Sequence, residues 1–407
     1  MFLRLTRHFA RGLVDNELIA DGQDLHASVA GILAAFLVGS AAVALMFLGK
    51  YNSVVGTVNG RLTALSQTLP EKLALALDDK TLLIGGAMIV MALITAIFWD
   101  ALSLDERDLA VMGPLPIRPA AVLIAKAAAV TGAAALVAAA LNALPALLFP
   151  VVVLLKAPVG PLDVLRAIAA HAIAGVAGCA CVFFTLSAFR GTAGLFRSRS
   201  IARRFLPIVQ FALVLGLLSL LLALPILAGR TRAAVASGAP SLLFYPPLWF
   251  LGIEEVLIGR SETIFATLAR IGLAALGLSV AAACAVHACA LFLRSHRLGA
   301  GSGSPASLAG RAIAASVERL ALVLSADGRF RASFLFTART LTRSPRHRLY
   351  LACSLGAGLA VAGATIAAAY AGLGFGRQAL AMKSMALAAQ LNLIFFLVVG
   401  LRIAATM

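Results

Sequence analysis

Charged side chains are scarce in this chain. Only 13% of its 407 residues are Asp, Glu, Lys or Arg, where a soluble domain carries about a quarter. Acids are the scarcer sign, 17 against 34 Lys and Arg, which leaves a formal charge of +17. Cysteine is rare and never arranged for chemistry. Cys179, Cys181, Cys284, Cys289 and Cys353 form no CxxC and have no suitably spaced His, which excludes zinc and thioredoxin-like sites. They read as small packing residues in apolar runs. Alternating β-branched stretches are also missing, which argues against a membrane β-barrel. No GxxxxGK[ST], HExxH or GxSxG occurs. The chain therefore has no usual phosphate cradle, zinc-protease helix or nucleophile elbow of its own. No cofactor is expected, and the chain is not read as an enzyme.

What is present is apolar sequence: 61% hydrophobic residues and a mean hydropathy of +0.99. Continuous runs of about 20 apolar residues are the length that crosses a bilayer as a helix. Eight such spans are predicted: Ser28–Gly49, Thr81–Trp99, Ala127–Leu148, Ala167–Phe189, Phe205–Leu227, Ile271–Leu293, Tyr350–Gly372 and Met385–Ile403. The third can run on through Val151–Leu155, because Pro145 and Pro150 would kink a membrane helix rather than end it. The expected fold is an all-α integral membrane protein, a bundle of about eight transmembrane helices with amphipathic interfacial helices. The first run is too long for a signal-peptide core and follows Asp15, Glu17, Asp21 and Asp24, so no cleavable leader is expected.

The basic residues sit in the connections, which makes nucleic acid an unsuitable partner and membrane lipid a suitable one. The side holding Arg107, Arg118, Arg197 and the segment Arg294–Arg348 collects about twenty Lys and Arg against about ten on the other. Lys72 and Lys80 fall in an outer connection on this scheme. The N-terminus is then cytoplasmic, in the inner (plasma) membrane. Phe2, Leu5, Phe9 and Leu13 share one helical face and Arg4, Arg7 and Arg11 the opposite one, the pattern of a helix lying in the interface. Phe330, Phe334 and Leu341 repeat the device before a later span.

Domain organisation follows from these features. Residues 1–297 comprise the interfacial helix and six spans, and 298–308 (LGAGSGSPASL) are a flexible linker. Residues 309–407 hold a second interfacial helix and two spans. Only eight residues follow Val399, short of a full second half, so the protein is either naturally short or a fragment. Ala174/Gly178, Ser354/Gly358 and Gly363/Ala367 are spaced for close helix approach, within one chain or at a dimer seam. His171 and His287 lie in spans, where helix packing is the expected role. Carboxylates are nearly absent from the predicted spans. Asp100 and Asp163 flank them, which counts against an ion-driven relay.

The connection after the second span stands out. It contains Asp105-Glu106-Arg107-Asp108, then Leu115-Pro116-Ile117-Arg118, with Lys126 at the opening of the next span. A charged, proline-marked connection of this length suits docking by a cytoplasmic partner, although a solvated connector has the same composition. Glu106-Arg107, the Leu-Pro-Ile-Arg element and Lys126 together resemble the cytoplasmic loop of ABC-2 type transporter permeases; Ala125 stands where glycine is frequent. The resemblance covers about the first 230 residues. It implies the transmembrane subunit of an ATP-driven exporter, working with a separate ABC ATPase subunit and with a second permease copy as a further partner. Asp105, Glu106, Arg107, Asp108, Leu115, Pro116 and Arg118 would contact the ATPase. The N-terminal helix resembles that family's interfacial connector. The stretch Leu251–Gly259, after Phe244-Tyr245-Pro246-Pro247, resembles one of its short re-entrant helices. A secondary transporter and a non-transport membrane scaffold are the alternative functions.

Overall fold

A computed structural model describes residues 2–14, 25–47, 51, 55–58, 61–64, 69–102, 119–154, 158–192, 195, 199–295 and 335. The chain is helical there, apart from one short hairpin. Helix α1 (Phe2–Val14) is followed by α2 (Leu25–Met46). Strands β1 (Val55–Val58) and β2 (Arg61–Ala64) pair antiparallel, with Val58 opposite Arg61. The intervening Asn59-Gly60 is the dipeptide that two-residue hairpin turns favour. Apart from this hairpin the described residues are helical, in keeping with the all-α expectation.

The long helices follow. They are α3 (Leu69–Ile97), α4 (Pro119–Leu154), α5 (Pro161–Thr192) and α6 (Arg199–Ala228). Then come two short pieces, α7 (Thr231–Ser237) and a 3-10 turn at Pro240–Phe244, before α8 (Pro246–Ile258) and α9 (Thr263–Ser295). Proline opens α4, α5 and α8, at positions where its missing N–H costs nothing. Gly259 ends α8 with φ 105°, a conformation that side chains with a Cβ rarely adopt.

Five of these helices contain stretches long and apolar enough to cross a membrane: Glu71–Ile97, Ala120–Leu154, Pro161–Thr192, Ile208–Ala228 and Thr263–Ala290. They coincide with the second to sixth predicted spans. Helix α2 coincides with the first, but its apolar core is the shorter stretch Leu33–Leu45. The last two predicted spans, the linker 298–308 and the second interfacial helix lie outside the described residues. As anticipated, α4 continues past Pro145 and Pro150 to Leu154.

The helices begin earlier than the apolar runs predict, and this corrects the placement of several charges. Lys72 and Lys80 belong to α3, and both are buried. Asp163 lies in the first turn of α5. A hydropathy boundary marks where charges start, not where a helix does. A charge that finds a partner can be carried well inside.

The described chain divides into two units, of which the first contains residues 1–192 and 224–291. In that unit α4 packs on α2 and α5, and α3 packs on α5 and α4. Helix α8 wedges against α3 and α5. Its Leu248, Phe250, Leu251 and Ile253 form the centre of the largest core with Ile84 and Met88 of α3 and Phe265 and Leu268 of α9. Gly252 allows the closest approach. A Cβ there would stand 2.6 Å from the Leu268 Cβ and 2.9 Å from the Phe265 carbonyl oxygen. Gly178 similarly receives Met88, so the Ala174/Gly178 pair serves packing within the chain. The Ser354/Gly358 and Gly363/Ala367 pairs lie outside the described residues. Helix α1 lies on the start of α4, with Phe9 buried against Val122, Ala125 and Ala129 while Arg4 and Arg7 remain exposed. Of the described residues of the second unit, all but a few belong to α6.

Candidate functional site

Lys80 is the anchor of a buried ionic cluster. It lies three turns into α3 and is 6% exposed. Its Nζ donates to Glu255 Oε1 at 2.6 Å and stands 2.9 Å from Glu254 Oε1. Both acids come from α8 and are sealed, Glu254 at 0% and Glu255 at 2% exposure. Glu254 Oε2 meets His171 Nδ1 of α5 at 2.8 Å. Arg260, just past α8, reaches Glu255 Oε2 at 3.3 Å and lies over the Phe265 ring. Three helices thus meet through side chains 83 to 175 residues apart in sequence.

Local sequence explains how α8 presents two acids inward. Trp249 and Phe250 start the helix in apolar surroundings, and the Trp249 indole donates to the Leu243 carbonyl. Glycines at 252 and 259 bring the backbone near α9 and Arg166 respectively. Isolated carboxylates could not be taken from water at such depth; pairing with Lys80, Arg260 and His171 makes it tolerable. Burial by itself would raise the Glu254 carboxyl, but the charges of His171 and Lys80 outweigh it and hold the carboxyl well below the usual carboxylate range.

A second polar layer flanks the cluster. Tyr51 is buried, and its hydroxyl donates to Asp79, the residue before Lys80. Burial pushes the Tyr51 phenol far above its ordinary range, and Asp79 adds to the effect. Asp78 accepts from the backbone N–H of Arg232 at 2.7 Å, which ties α7 to α3. Tyr245, at the entry to α8, has its phenol pushed up to about 12 by burial.

Beside the cluster is a cavity of about 170 Å³ between α3, α4, α5 and α8. Its walls are mostly apolar: Leu73, Phe149, Val153, Leu154, Ala167 and Ile258. Lys80 and Glu254 contribute charge from the cluster, and Asp163 and Arg166 contribute it from the exposed first turns of α5. Arg166 Nε donates to the Leu257 carbonyl at 2.6 Å, at the C-terminal end of α8 where a cation is favoured. The Phe149 ring also leans on His171, with centroids 5.8 Å apart. Among the described residues no His, Cys, Asp and Glu group is arranged to hold a metal ion.

Comparison with protein families, with curated proteins and with solved structures finds no match.

The residues singled out from sequence fare differently from this cluster. Asp105, Glu106, Arg107, Asp108, Leu115, Pro116 and Arg118 lie outside the described residues. What is described is the frame around them. Helix α3 leads into a 3-10 turn at Trp99–Leu102, and α4 restarts at Pro119. Trp99 is buried edge-on against Phe189 of α5. Lys126 lies over the Phe9 ring at 5.4 Å and so fastens the first turns of α4 to α1.

The reading that carboxylates are nearly absent from the predicted spans does not extend to the whole bundle: Glu254 and Glu255 are buried, in a short helix between spans. One signal was available: two adjacent acids stand within the otherwise uncharged stretch Pro246-Pro-Leu-Trp-Phe-Leu-Gly-Ile-Glu-Glu-Val-Leu-Ile258. His171 does have the packing role expected of it, with an ionic partner. His287 meets Ser187 at 3.0 Å, also a helix-packing contact.

Proposed function

We propose that the chain is the transmembrane permease subunit of an ATP-driven ABC-2 type exporter, moving substrate with a separate ATPase subunit. The observation that carries this reading is the charged, proline-marked stretch Asp105–Arg118, which joins the ends of two long apolar helices packed on each other. A push on that connection would act on α3 and α4 together. Lys80 lies 17 residues before the end of α3, about 25 Å along the helix at 1.5 Å per residue. Sliding α3 against α5 and α8 would have to break or exchange the Lys80 pairs. The ionic cluster would then be the joint at which the far half of the bundle re-pairs. In this reading the membrane is the inner (plasma) membrane, the N-terminus is cytoplasmic, about eight helices span, α1 is the interfacial connector and α8 is a re-entrant helix near the outer face. A second permease copy would complete the transporter.

The test is coupling. Glu106→Gln and Arg107→Gln should leave membrane insertion intact and uncouple ATP hydrolysis by the co-purified ATPase subunit from transport. Unchanged coupling, or absence of any ATPase in a pull-down from native membrane, removes the proposal.

A second reading, a secondary transporter, is favoured by one observation: the buried Lys80, His171 and Glu254 are the kind of ionisable set that proton-coupled carriers place at depth. Transport that stops when ion gradients are collapsed with ATP retained would select it.

A further inference from the structure

Asp163 and Arg166 stand one turn apart at the exposed mouth of the cavity, and neither forms an ion pair among the described residues. Each is held toward a backbone partner instead. Asp163 Oδ2 accepts from the Gly160 N–H at 3.2 Å. Arg166 Nε donates to the Leu257 carbonyl at 2.6 Å, with its Nη atoms beside Gly259. One carboxylate oxygen and the terminal guanidinium N–H groups are left for a ligand. Residues three apart on a helix have Cβ atoms about 5–6 Å apart, so the mouth presents one acid and one base at short range.

The place of the mouth in the bundle narrows the ligand. It lies where the apolar stretch Ala120–Leu154 ends and Pro161–Thr192 begins. Leu162 and Leu165, beside the two charges, are exposed. Membrane-spanning stretches end at the level of lipid headgroups. The charges therefore stand at that level, and the walls formed by Phe149, Val153 and Ile258 run inward from it. Water held against those walls gains by release, which favours an alkyl chain in its place.

Charge decides the headgroup. With His171 counted as charged, the inner end of the cavity backs onto three cations, Lys80, His171 and Arg260, and two acids, Glu254 and Glu255, each already paired. A ligand ammonium finds no free acid there. A ligand anion would have to leave water and face both carboxylates. Charge recognition is thus confined to the mouth. A lone cation at the mouth would stand against Arg166, and a lone anion against Asp163. A zwitterion meets both with the right sign, its phosphate on the guanidinium fork and its ammonium on the carboxylate.

We propose that the cavity is a site for a membrane phospholipid with a primary-amine zwitterionic headgroup, of the phosphatidylethanolamine class. Its phosphate sits on Arg166, its ammonium on Asp163, and the end of one acyl chain lies against Phe149, Val153 and Ile258. The proposal needs the bundle to lie in a bilayer and does not depend on a motor subunit.

The experiment uses the full chain in phosphatidylcholine nanodiscs containing a trace of phosphatidylethanolamine with a diazirine on one acyl chain. Adducts are mapped by mass spectrometry and are expected on peptides carrying Phe149–Leu154 and Ile258. Unlabelled phosphatidylethanolamine, replacing part of the phosphatidylcholine, should lower them. The same share of phosphatidylglycerol should be roughly two- to fivefold less effective, the scale of one exposed charge contact. Soluble phosphoethanolamine, which lacks the chain, should not lower them. Asp163→Asn keeps an acceptor for the Gly160 N–H and removes the charge, so the two lipids should then compete equally. Ala167→Leu, which fills the cavity with little change in polarity, should abolish the adducts; if it does not fold, Asp163→Asn decides alone. The proposal is overturned by absence of adducts there, by equal competition of the two lipids in the parent, or by competition from phosphoethanolamine. A lipid preference that survives Asp163→Asn, or adducts that survive Ala167→Leu, overturn it as well. Neither ATPase activity nor transport is read, so failure of the exporter reading gives a separate signature.

Discussion

Lys80 and Glu255, 175 residues apart, share a 2.6 Å hydrogen bond in the interior of the helical bundle. Helix α3 is thereby fixed to α8 by charge as well as by packing, at a depth where an unmatched ion is costly. Lys80→Met leaves two sealed carboxylates short of their main cation. It should destabilise the detergent-solubilised protein by about 3–5 kcal/mol, the usual cost of breaking a buried pair from one side. Lys80→Met combined with Glu255→Gln should cost clearly less than the two single changes added together. Strict additivity in thermal unfolding would show that the pair is not coupled.

Acid should weaken the same cluster. The folded state holds Glu254 below its ordinary range. Its contribution is then present above the unfolded carboxyl pKa of about 4.3 and is lost as pH falls below it. Unfolding midpoints measured from pH 7 downward should decline below that value in the parent protein. The decline should be shallower in Glu254→Gln, and an identical acid limb in the two would refute the assignment.

Two glycines should respond with opposite signs. Gly252→Ala drives a Cβ into the backbone and side chains of α9, and should cost about 1–3 kcal/mol by overpacking. Gly132→Ala, within α4 and facing open space, should gain up to about 1 kcal/mol from helix propensity. Denaturation of both variants side by side checks the close approach of α8 and α9; equal effects would contradict it.

Phe9 is the side chain that seats α1 on α4, with Lys126 above its ring. Phe9→Ala should loosen that docking by roughly 3 kcal/mol. Trypsin would then cut faster at Arg4 and Arg7, while the cores around α8 remain protected. Unchanged cleavage kinetics would mean that α1 is held by something else.

Much of the architecture follows from periodicity and composition. Helices α3, α4, α5, α6 and α9 lie where long apolar runs place them, because a run of that length has few folded alternatives. The amphipathic pattern likewise gives α1 its buried side at Leu5 and Phe9, although Phe2, on the same predicted face, stays exposed. Helix ends are less legible. Lys72, Asp79, Lys80 and Asp163 look like loop residues in a hydropathy profile but are helical; Tyr51 and the acids of α8 meet Asp79 and Lys80 from elsewhere in the chain.

The sequence by itself determined that this is a helical chain with several segments suited to a bilayer, since apolar content and run length are local properties. Only the tertiary structure decided that Lys80, His171, Glu254 and Glu255 form one cluster beside a cavity. Ion pairing acts through space over a few ångströms, and nothing in the spacing of residues 80, 171 and 254 along the chain records that they meet.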